Sequence, residues 1–300
     1  MMFGIRDSFR YLECNSCGCV QLLDEISDFS KYYPDQYYSF SPVKISNRNT
    51  IKDIIEKLIT RYSIGAFNPG YYFLSKIFGI HHFCKWLSIA KVKPGDKILD
   101  IGCGNGDKLI KLNKLGYNDL YGIDPFIKSS IIYDNGVTVF KKNVFELNDK
   151  YDFIMLHHSL EHMPDQLGVL QKVYTLLNDN RFVLVRVPTA SSFAWNEYGI
   201  NWFQLDAPRH LFLHTHQSIS LLAEEAGFRV YYVYFDSSEA QFLGSIQYMK
   251  DIPFYDEKSY TVNIKKSIFS KRDVKYYRRK ARQLNKNGEG DSVCYFLLKQ

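Results

Sequence analysis

The central part of the chain alternates short apolar runs with segments whose apolar residues recur at helical spacing. Seven apolar runs have the length and composition of buried strands. They are KILDIG, LYGID, VTVF, YDFIML, RFVLVRV, RVYYVYF and VCYFLLK. Strands that alternate with helices form a mostly parallel sheet with helices packed on its faces. The pattern therefore predicts an α/β protein built on a doubly wound, seven-stranded, mostly parallel sheet.

The intervening segments carry helix signals. DKLIKLNKL places its leucines on one helical face, and Gly116 stands where a helix C-cap is expected. Further amphipathic helices are predicted over 164–178 and 216–226. Outside this alternation the pattern is less regular, and we predict five segments along the chain. They are an irregular N-terminal segment (1–48), a helical cap (49–94), the core (95–236), a helical basic insertion (237–290) and the final core strand (291–300).

The net charge of +6 is unevenly distributed over the 300 residues. Residues 265–286 contain ten Lys or Arg and one acid, a charge of +9 that leaves −3 for the rest. A solvated helix face is the preferred interpretation of such a run. The alternatives are contact with a phosphate-bearing substrate, with an acidic membrane surface or with nucleic acid.

The chain start and the cysteines bear on the compartment. MMFGIRDSFRYLEC lacks the apolar stretch of a secretory signal, and the most apolar helical candidate, 71–87, is interrupted by Lys and His. Six cysteines in 300 residues do not form the dense framework of a small secreted domain. These observations predict a soluble, cytoplasmic protein with reduced cysteines.

Three of the cysteines lie in one turn, ECNSCGCV, which contains Cys14, Cys17 and Cys19. A structural zinc site takes four ligands, usually from two CxxC turns. No second pair accompanies this turn, so we predict a metal-free knuckle and no metal site, with zinc binding as the less favoured alternative.

The stretch ILDIGCGNG follows the first predicted strand and contains Gly102, Gly104 and Gly106. Glycines at a strand-to-helix turn let a ligand approach the backbone closely. The dinucleotide fingerprint has its third glycine one residue later, and here the next residue is Asp107, which would repel a pyrophosphate. The loop therefore favours a cationic cofactor without phosphate.

Two acids flank this loop. Asp100 ends the strand before it, and Asp124 follows the second strand, where a carboxylate can accept hydrogen bonds from ribose hydroxyls. With DIGCGNG, YGIDP and the stretch from Asn143 to YDFIMLHHSLEHMPD, residues 95–235 resemble the class I S-adenosylmethionine-dependent methyltransferases. The resemblance implies a Rossmann-like fold with S-adenosylmethionine as cofactor. It further implies that Asp100, Gly102 and Gly104 line the methionine end, Asp124 the ribose, Asn143 and Val144 the adenine, and that His158 lies near the sulfonium.

Methyl transfer requires an aligned acceptor and, for a hydroxyl acceptor, a base. HHSLEHMPD and NWFQLDAPRHLFLHTH follow the fourth and fifth strands and overlook one crevice. His210 is the first choice for the base and His158 the second, while Glu161 either takes part in catalysis or caps and orients the next helix. The acceptor is expected to contact Trp202, Asp206 and Arg209, although Arg209 can instead pair with Asp206.

The acceptor is predicted from a second resemblance. WFQLDAPRHL is similar to a segment of methyltransferases encoded with bacterial polysaccharide and sugar-modifying enzymes, which implies a sugar, nucleotide sugar or polysaccharide precursor. An RNA or DNA methyltransferase is the alternative. It ranks second because the basic charge is confined to one insertion without a known nucleic-acid module. We therefore expect a small-molecule acceptor, which can bear phosphate, and no nucleic acid. A non-catalytic scaffold is disfavoured by the intact glycine loop with both acids.

Overall fold

The computed structural model describes residues 2–33, 43, 51–63, 73, 77 and 82–300. Its helices include α1 (Ile51–Ser63), α2 (His82–Ile89), α3 (Asp107–Leu115), α4 (Gln166–Leu176), α5 (Phe193–Tyr198), α6 (His216–Glu225), α7 (Ala240–Met249) and α8 (Lys271–Asn287). Its strands include β1 (Tyr11–Glu13), β2 (Val20–Leu22), β3 (Ile98–Ile101), β4 (Leu120–Ile123), β5 (Ile131–Ile132), β6 (Thr138–Phe140), β7 (Tyr151–His157), β8 (Leu177–Pro188), β9 (Phe212–Leu213), β10 (Arg229–Phe235) and β11 (Ser292–Leu298).

The main sheet has eight strands in the order β10-β11-β8-β7-β3-β4-β6-β5. The run from β8 to β6 is parallel, β11 is antiparallel to both of its neighbours, and β5 pairs antiparallel with β6. The predicted doubly wound α/β fold is confirmed, and all seven predicted strands are present. The eighth strand, β5, is only two residues long at the sheet edge, too short to leave a pattern in the sequence.

Neighbouring residues of β3 serve opposite faces of the sheet. Leu99 packs in a core cluster with Val169 of α4 and Ile219 of α6. Ile98 packs in the other large cluster, with Leu109 of α3 and residues of α2. Side chains alternate across a strand, so a strand apolar at every position must be covered on both faces. Because helices cover both faces of the sheet, the carboxyl ends of the strands remain as the place for a ligand, and the glycine loop lies there, directly after β3.

The C-terminal end of α3 agrees with the sequence-based prediction, whereas that of α4 does not. Gly116 closes α3 in a left-handed conformation (φ 101°), and its N–H bonds the carbonyls of Leu112 and Asn113, as predicted. The helix predicted over 164–178 ends earlier, at Leu176. Leu177 already belongs to β8, where it pairs with Tyr151 of β7 and is fully buried. Tertiary pairing therefore overrides the helical spacing at this boundary.

Within the N-terminal segment predicted over 1–48, the strand-like stretch RYLEC contains β1. Strands β1 and β2 form an antiparallel hairpin, and β2 pairs with β9, so a three-stranded sheet joins this segment to the core. Cys14, Cys17 and Cys19 are free thiols in and after the hairpin turn. In the part of the chain that the structure describes, they do not join a group of three closely spaced metal-ligand atoms.

Helices α1 and α2 fall within the predicted helical cap, and most of the apolar stretch 71–87 lies outside the described residues. The predicted insertion 237–290 contains α7 and α8, and β11 follows it. Within the described residues, none of the helices has the length and hydropathy that crossing a membrane requires.

Candidate active site

The glycine loop satisfies its own backbone donors. The N–H groups of Gly102 and Cys103 bond the carbonyl of Ile123 at 2.8 and 3.2 Å. The N–H of Gly104 donates to Asp124 Oδ2 at 2.9 Å. These three N–H groups already donate within the chain, so they are not available to bind a phosphate. This geometry favours a cofactor without phosphate over a dinucleotide.

Asp100 carries two polar atoms without hydrogen-bond partners. The residue is 1% exposed, and neither carboxylate oxygen has a partner among the described residues. Burial raises the pKa of Asp100 to about 7, against the opposing influence of Lys108. A buried carboxylate without partners is costly, and a cation beside it would remove that cost. Asp100 therefore fits the cationic methionine end of S-adenosylmethionine.

Asp124 links the glycine loop to the end of β4. Its Oδ1 accepts a hydrogen bond from the N–H of Phe126 at 2.9 Å, and its Oδ2 accepts the one from Gly104. Burial raises the pKa of Asp124, and these backbone donors oppose the shift. The Ile127 N–H is a third backbone donor to this carboxylate, which leaves one of its lone pairs free. Asp124 can thus hold the loop and still accept from a ribose hydroxyl.

We expect Gly102→Ala to lower the free energy of unfolding by about 1–3 kcal/mol, through left-handed strain and overpacking. Gly102 has φ +70°, and a Cβ there would lie 2.5 Å from Cβ of Ser159, whose hydroxyl donates to the carbonyl of Ile101. Urea denaturation measures the loss. Gly95→Ala is the control, because its added Cβ has no neighbour within 4 Å. Equal stability of the two variants would contradict the prediction.

The Asn143–Val144 turn is a capped turn of 3-10 helix (Val144–Glu146). Asn143 Oδ1 accepts from the N–H of Phe145 at 3.2 Å, and the Asn143 N–H donates to Glu146 Oε1 at 2.6 Å. Val144 is buried, whereas Phe145 is 49% exposed. The turn is therefore rigidly built beside an exposed aromatic ring that the sequence analysis did not single out.

His158 follows β7 with a backbone φ of +53°, a strained conformation for a non-glycine residue. Its Nδ1 lies 3.1 Å from Glu161 Oε1, and its Nε2 contacts the guanidinium of Arg186. Burial, followed by the charge of Arg186, lowers the pKa of His158 well below its usual value. Proton acceptance at Nε2 therefore competes directly with Arg186.

Trp202 does not line a crevice, contrary to the sequence-based expectation. Its side chain is fully buried, and its indole N–H donates to Asp291 Oδ2 at 3.0 Å. A tryptophan held in this way is part of the core beneath the site. We therefore remove Trp202 from the proposed acceptor contacts.

Asp206 and Arg209 pair with each other, which is one of the two alternatives that the sequence left open. His210 is 4% exposed, and its Nδ1 lies 2.7 Å from the carbonyl oxygen of Gln204. A carbonyl only accepts, so Nδ1 carries the proton and Nε2 the lone pair. Burial lowers the pKa of His210 to about 3. In this environment His210 is a weak proton acceptor.

A cavity of about 430 Å³ adjoins the start of α3, directly after the glycine loop. Six charged side chains line it, three of them basic (Lys108, Lys111 and Arg186) and three acidic (Asp107, Asp236 and Asp291). Lys108, Arg186 and Asp236 were not predicted from the sequence as site residues. Arg186 left a usable signal, since it is a charged residue inside the apolar run RFVLVRV. The other two are ordinary surface residues in sequence and become neighbours only through the sheet order.

Comparisons with known proteins agree with this fold. A family model described as methyltransferase domain matches residues 77–233, just over half of the chain. A tRNA U34 carboxymethyltransferase of Campylobacter hominis is 32% identical over 116 residues, which cover 31% of this chain and 39% of that protein. The protein of the same name from Aliarcobacter butzleri is 30% identical over 132 residues, 37% of this chain and 42% of that protein. The matches thus span about two-fifths of the length of these curated relatives.

A solved structure of an S-adenosylmethionine-dependent methyltransferase from Archaeoglobus fulgidus is also similar. It is 19% identical, with 78% of this chain and 100% of that chain covered and a TM-score of 0.44.

Proposed function

We propose that this chain, which belongs to the methyltransferase domain family, transfers a methyl group from S-adenosylmethionine to a nucleotide unit, in the first place in RNA. The cofactor supplies an electrophilic methyl group. The comparisons give no support to the sugar acceptor expected from WFQLDAPRHL. They favour instead the alternative of an RNA methyltransferase, because both curated relatives carry tRNA in their names.

The cofactor contacts are assigned by what each residue can still bind. Asp100 is proposed to face the cationic methionine end, because its buried oxygens lack partners. Asp124 is proposed to accept from the ribose through its remaining lone pair. The other contacts stay predictions, namely Gly102 and Gly104 along the methionine end, Asn143 and Val144 at the adenine and His158 near the sulfonium.

The observation that carries the RNA proposal is the basic surface of α8 beside the cavity. The cavity lining itself is balanced, since it contains Lys108, Lys111 and Arg186 together with Asp107, Asp236 and Asp291. The basic stripe of α8 consists of exposed side chains that recur every three or four residues and so share one helix face. Its members are Lys275, Arg279, Arg282 and Lys286.

Helix α8, which carries the basic stripe, is tied to the cavity wall. Asn285 of α8 accepts from the Ser237 N–H at 3.1 Å and donates to the Ser237 carbonyl at 2.9 Å, and Ser237 lines the cavity. We propose that a nucleic acid with one nucleotide in the cavity continues along α8 and meets the basic stripe with its flanking phosphates. Such contacts supply most of the affinity for a nucleic acid.

A nucleotide sugar is the second candidate, and the size of the cavity favours it. A volume of about 430 Å³ suits one small polar ligand. Both candidates bear phosphate, as the sequence analysis allowed. They differ in whether binding of the acceptor requires the basic stripe, as RNA would and a nucleotide sugar would not.

We expect the triple variant Arg279→Gln, Arg282→Gln, Lys286→Gln to bind tRNA more weakly. The slope of log affinity against log salt should fall by about 2–3, because three phosphate contacts are lost. Fluorescence anisotropy with labelled tRNA over a salt series measures both effects. Methyl transfer from radiolabelled S-adenosylmethionine to unmodified tRNA and to nucleotide sugars measures the acceptor.

The control is the triple variant Lys91→Gln, Lys93→Gln, Arg229→Gln, which removes three exposed charges next to the amino ends of strands, away from the cavity. It should bind tRNA like the wild type. Label in nucleotide sugars and none in tRNA would replace the first candidate by the second. Equal losses in both triple variants would show that the basic stripe has no special role.

A further inference from the structure

Three potential ligand atoms converge beside the predicted catalytic residues. Glu161, His162 and His210 each offer one ligand atom, and all three atoms lie within 4.8 Å of one another. Glu161 and His162 belong to a turn of 3-10 helix (Leu160–His162) that follows β7, and His210 comes from the segment before β9. The imidazole rings of the two histidines are 4.7 Å apart, inclined at 65°.

Both histidines are oriented as metal ligands are. Nδ1 of His162 lies 2.8 Å from the carbonyl oxygen of Arg209, and Nδ1 of His210 lies 2.7 Å from that of Gln204. Each Nδ1 therefore carries the proton, and each Nε2 presents a lone pair. A ring N–H donated to a backbone carbonyl is the usual support of a ligating histidine, because it fixes tautomer and orientation.

Glu161 has one carboxylate oxygen to spare. The side chain is fully buried, and Oε1 faces His158 Nδ1. Oε2 is buried and has no hydrogen-bond partner among the described residues. An ionised Glu161 would leave Oε2 without a hydrogen-bond donor, and a protonated one would leave the O–H without an acceptor. A cation at this point removes either cost.

We propose that Glu161, His162 and His210 bind a divalent first-row transition-metal cation. Two imidazoles and one carboxylate form a ligand set that suits zinc or iron(II) and leaves further coordination positions open. His162 is partly exposed, so a water or an acceptor oxygen can reach the ion from that side. Asp206 Oδ2 lies 3.8 Å from His210 Nε2, and the pairing of Asp206 with Arg209 balances its charge. This proposal replaces the expectation of no metal.

A bound ion would give the buried side chains of His210 and Glu161 a function as metal ligands. Resting on the proposed function, we assign the ion to the acceptor side, where it would lower the pKa of an acceptor hydroxyl. His210 then acts as a ligand and not as the base. The binding of the ion itself does not depend on this role or on the identity of the acceptor.

Titration of the metal-free protein with Co²⁺, followed by visible absorption, tests the site. We expect one Co²⁺ per chain, without the intense thiolate charge-transfer bands that a cysteine site would give. Glu161→Gln should weaken Co²⁺ binding by at least about 100-fold, since even loss of a supporting contact costs 10–100-fold. His216→Gln is the matched control, a partly buried histidine bonded to the Tyr295 hydroxyl outside the cluster, and it should bind Co²⁺ normally.

Cu²⁺ bound to the wild-type protein provides a second measurement that requires no variant. Pulsed electron paramagnetic resonance should count two imidazole nitrogens on the ion. One imidazole or none, no binding at all, or binding that Cys17→Ser abolishes and Glu161→Gln leaves intact would each overturn the proposal. Because no methyl donor or acceptor is present, a failure here leaves the proposed function standing. The tRNA assay in turn can fail without affecting the metal site.

Discussion

Replacing Asp236 with Asn is expected to lower the free energy of unfolding by about 3–5 kcal/mol, the usual cost of breaking a buried ion pair from one side. Asp236 Oδ2 lies 2.8 Å from Arg186 Nε, and the two side chains are 3% and 15% exposed. Asn keeps the shape of Asp but carries no charge. The guanidinium of Arg186, which cannot lose its proton, would then remain buried without its partner.

Urea denaturation measures this loss directly, and Asp251→Asn is the matched control. Asp251 pairs with Arg6 at 2.7 Å, but both side chains are more than half exposed, so this pair contributes little. The control should unfold like the wild type. Equal free energies of unfolding for Asp236→Asn and Asp251→Asn would contradict the prediction that the buried pair stabilises the fold.

Asp100→Asn is expected to weaken the binding of S-adenosylhomocysteine by about 10–100-fold, because a charge-assisted hydrogen bond is worth about 1.5–3 kcal/mol. The ligand keeps the cationic amino group of the cofactor, and Asn offers it no charge. Isothermal titration calorimetry at pH 8 measures the loss. An unchanged affinity would show that Asp100 does not face the amino group.

The same titration has an expected pH dependence. Burial raises the pKa of Asp100 to about 7, so the carboxylate is ionised at pH 8 and mostly protonated at pH 6. Wild-type affinity should therefore fall as the pH decreases through 7, whereas the affinity of Asp100→Asn should not follow this trend. A wild-type affinity that stays constant between pH 8 and 6 would contradict the shifted pKa.

The raised pKa also predicts how the stability of the cofactor-free protein depends on pH. The folded protein holds the Asp100 proton up to about pH 7, whereas the unfolded chain releases it near 3.8, so stability falls as the pH rises between these values. Between pH 5 and 8, Asp100→Asn should gain on the order of 2 kcal/mol relative to the wild type. Thermal unfolding at the two pH values measures the difference.

The sequence alone predicted the fold class and, through its resemblance to the class I methyltransferases, the cofactor. Apolar runs such as KILDIG and RFVLVRV predict buried strands because a strand covered on both faces needs an apolar residue at nearly every position. The spacing of Gly102, Gly104 and Gly106 between Asp100 and Asp124 excludes the dinucleotide fingerprint. These are local properties of backbone and charge, and a linear pattern records them.

Only the tertiary structure decided what each site residue contacts. Trp202 and His210 lie eight residues apart in one polar segment, yet one is a core side chain bonded to Asp291 and the other lies beside Glu161 and His162. Arg186 and Asp236 meet because β11, the last strand in sequence, is inserted between β8 and β10. Burial and pairing depend on contacts between residues far apart in the chain, and spacing along the sequence carries no record of them.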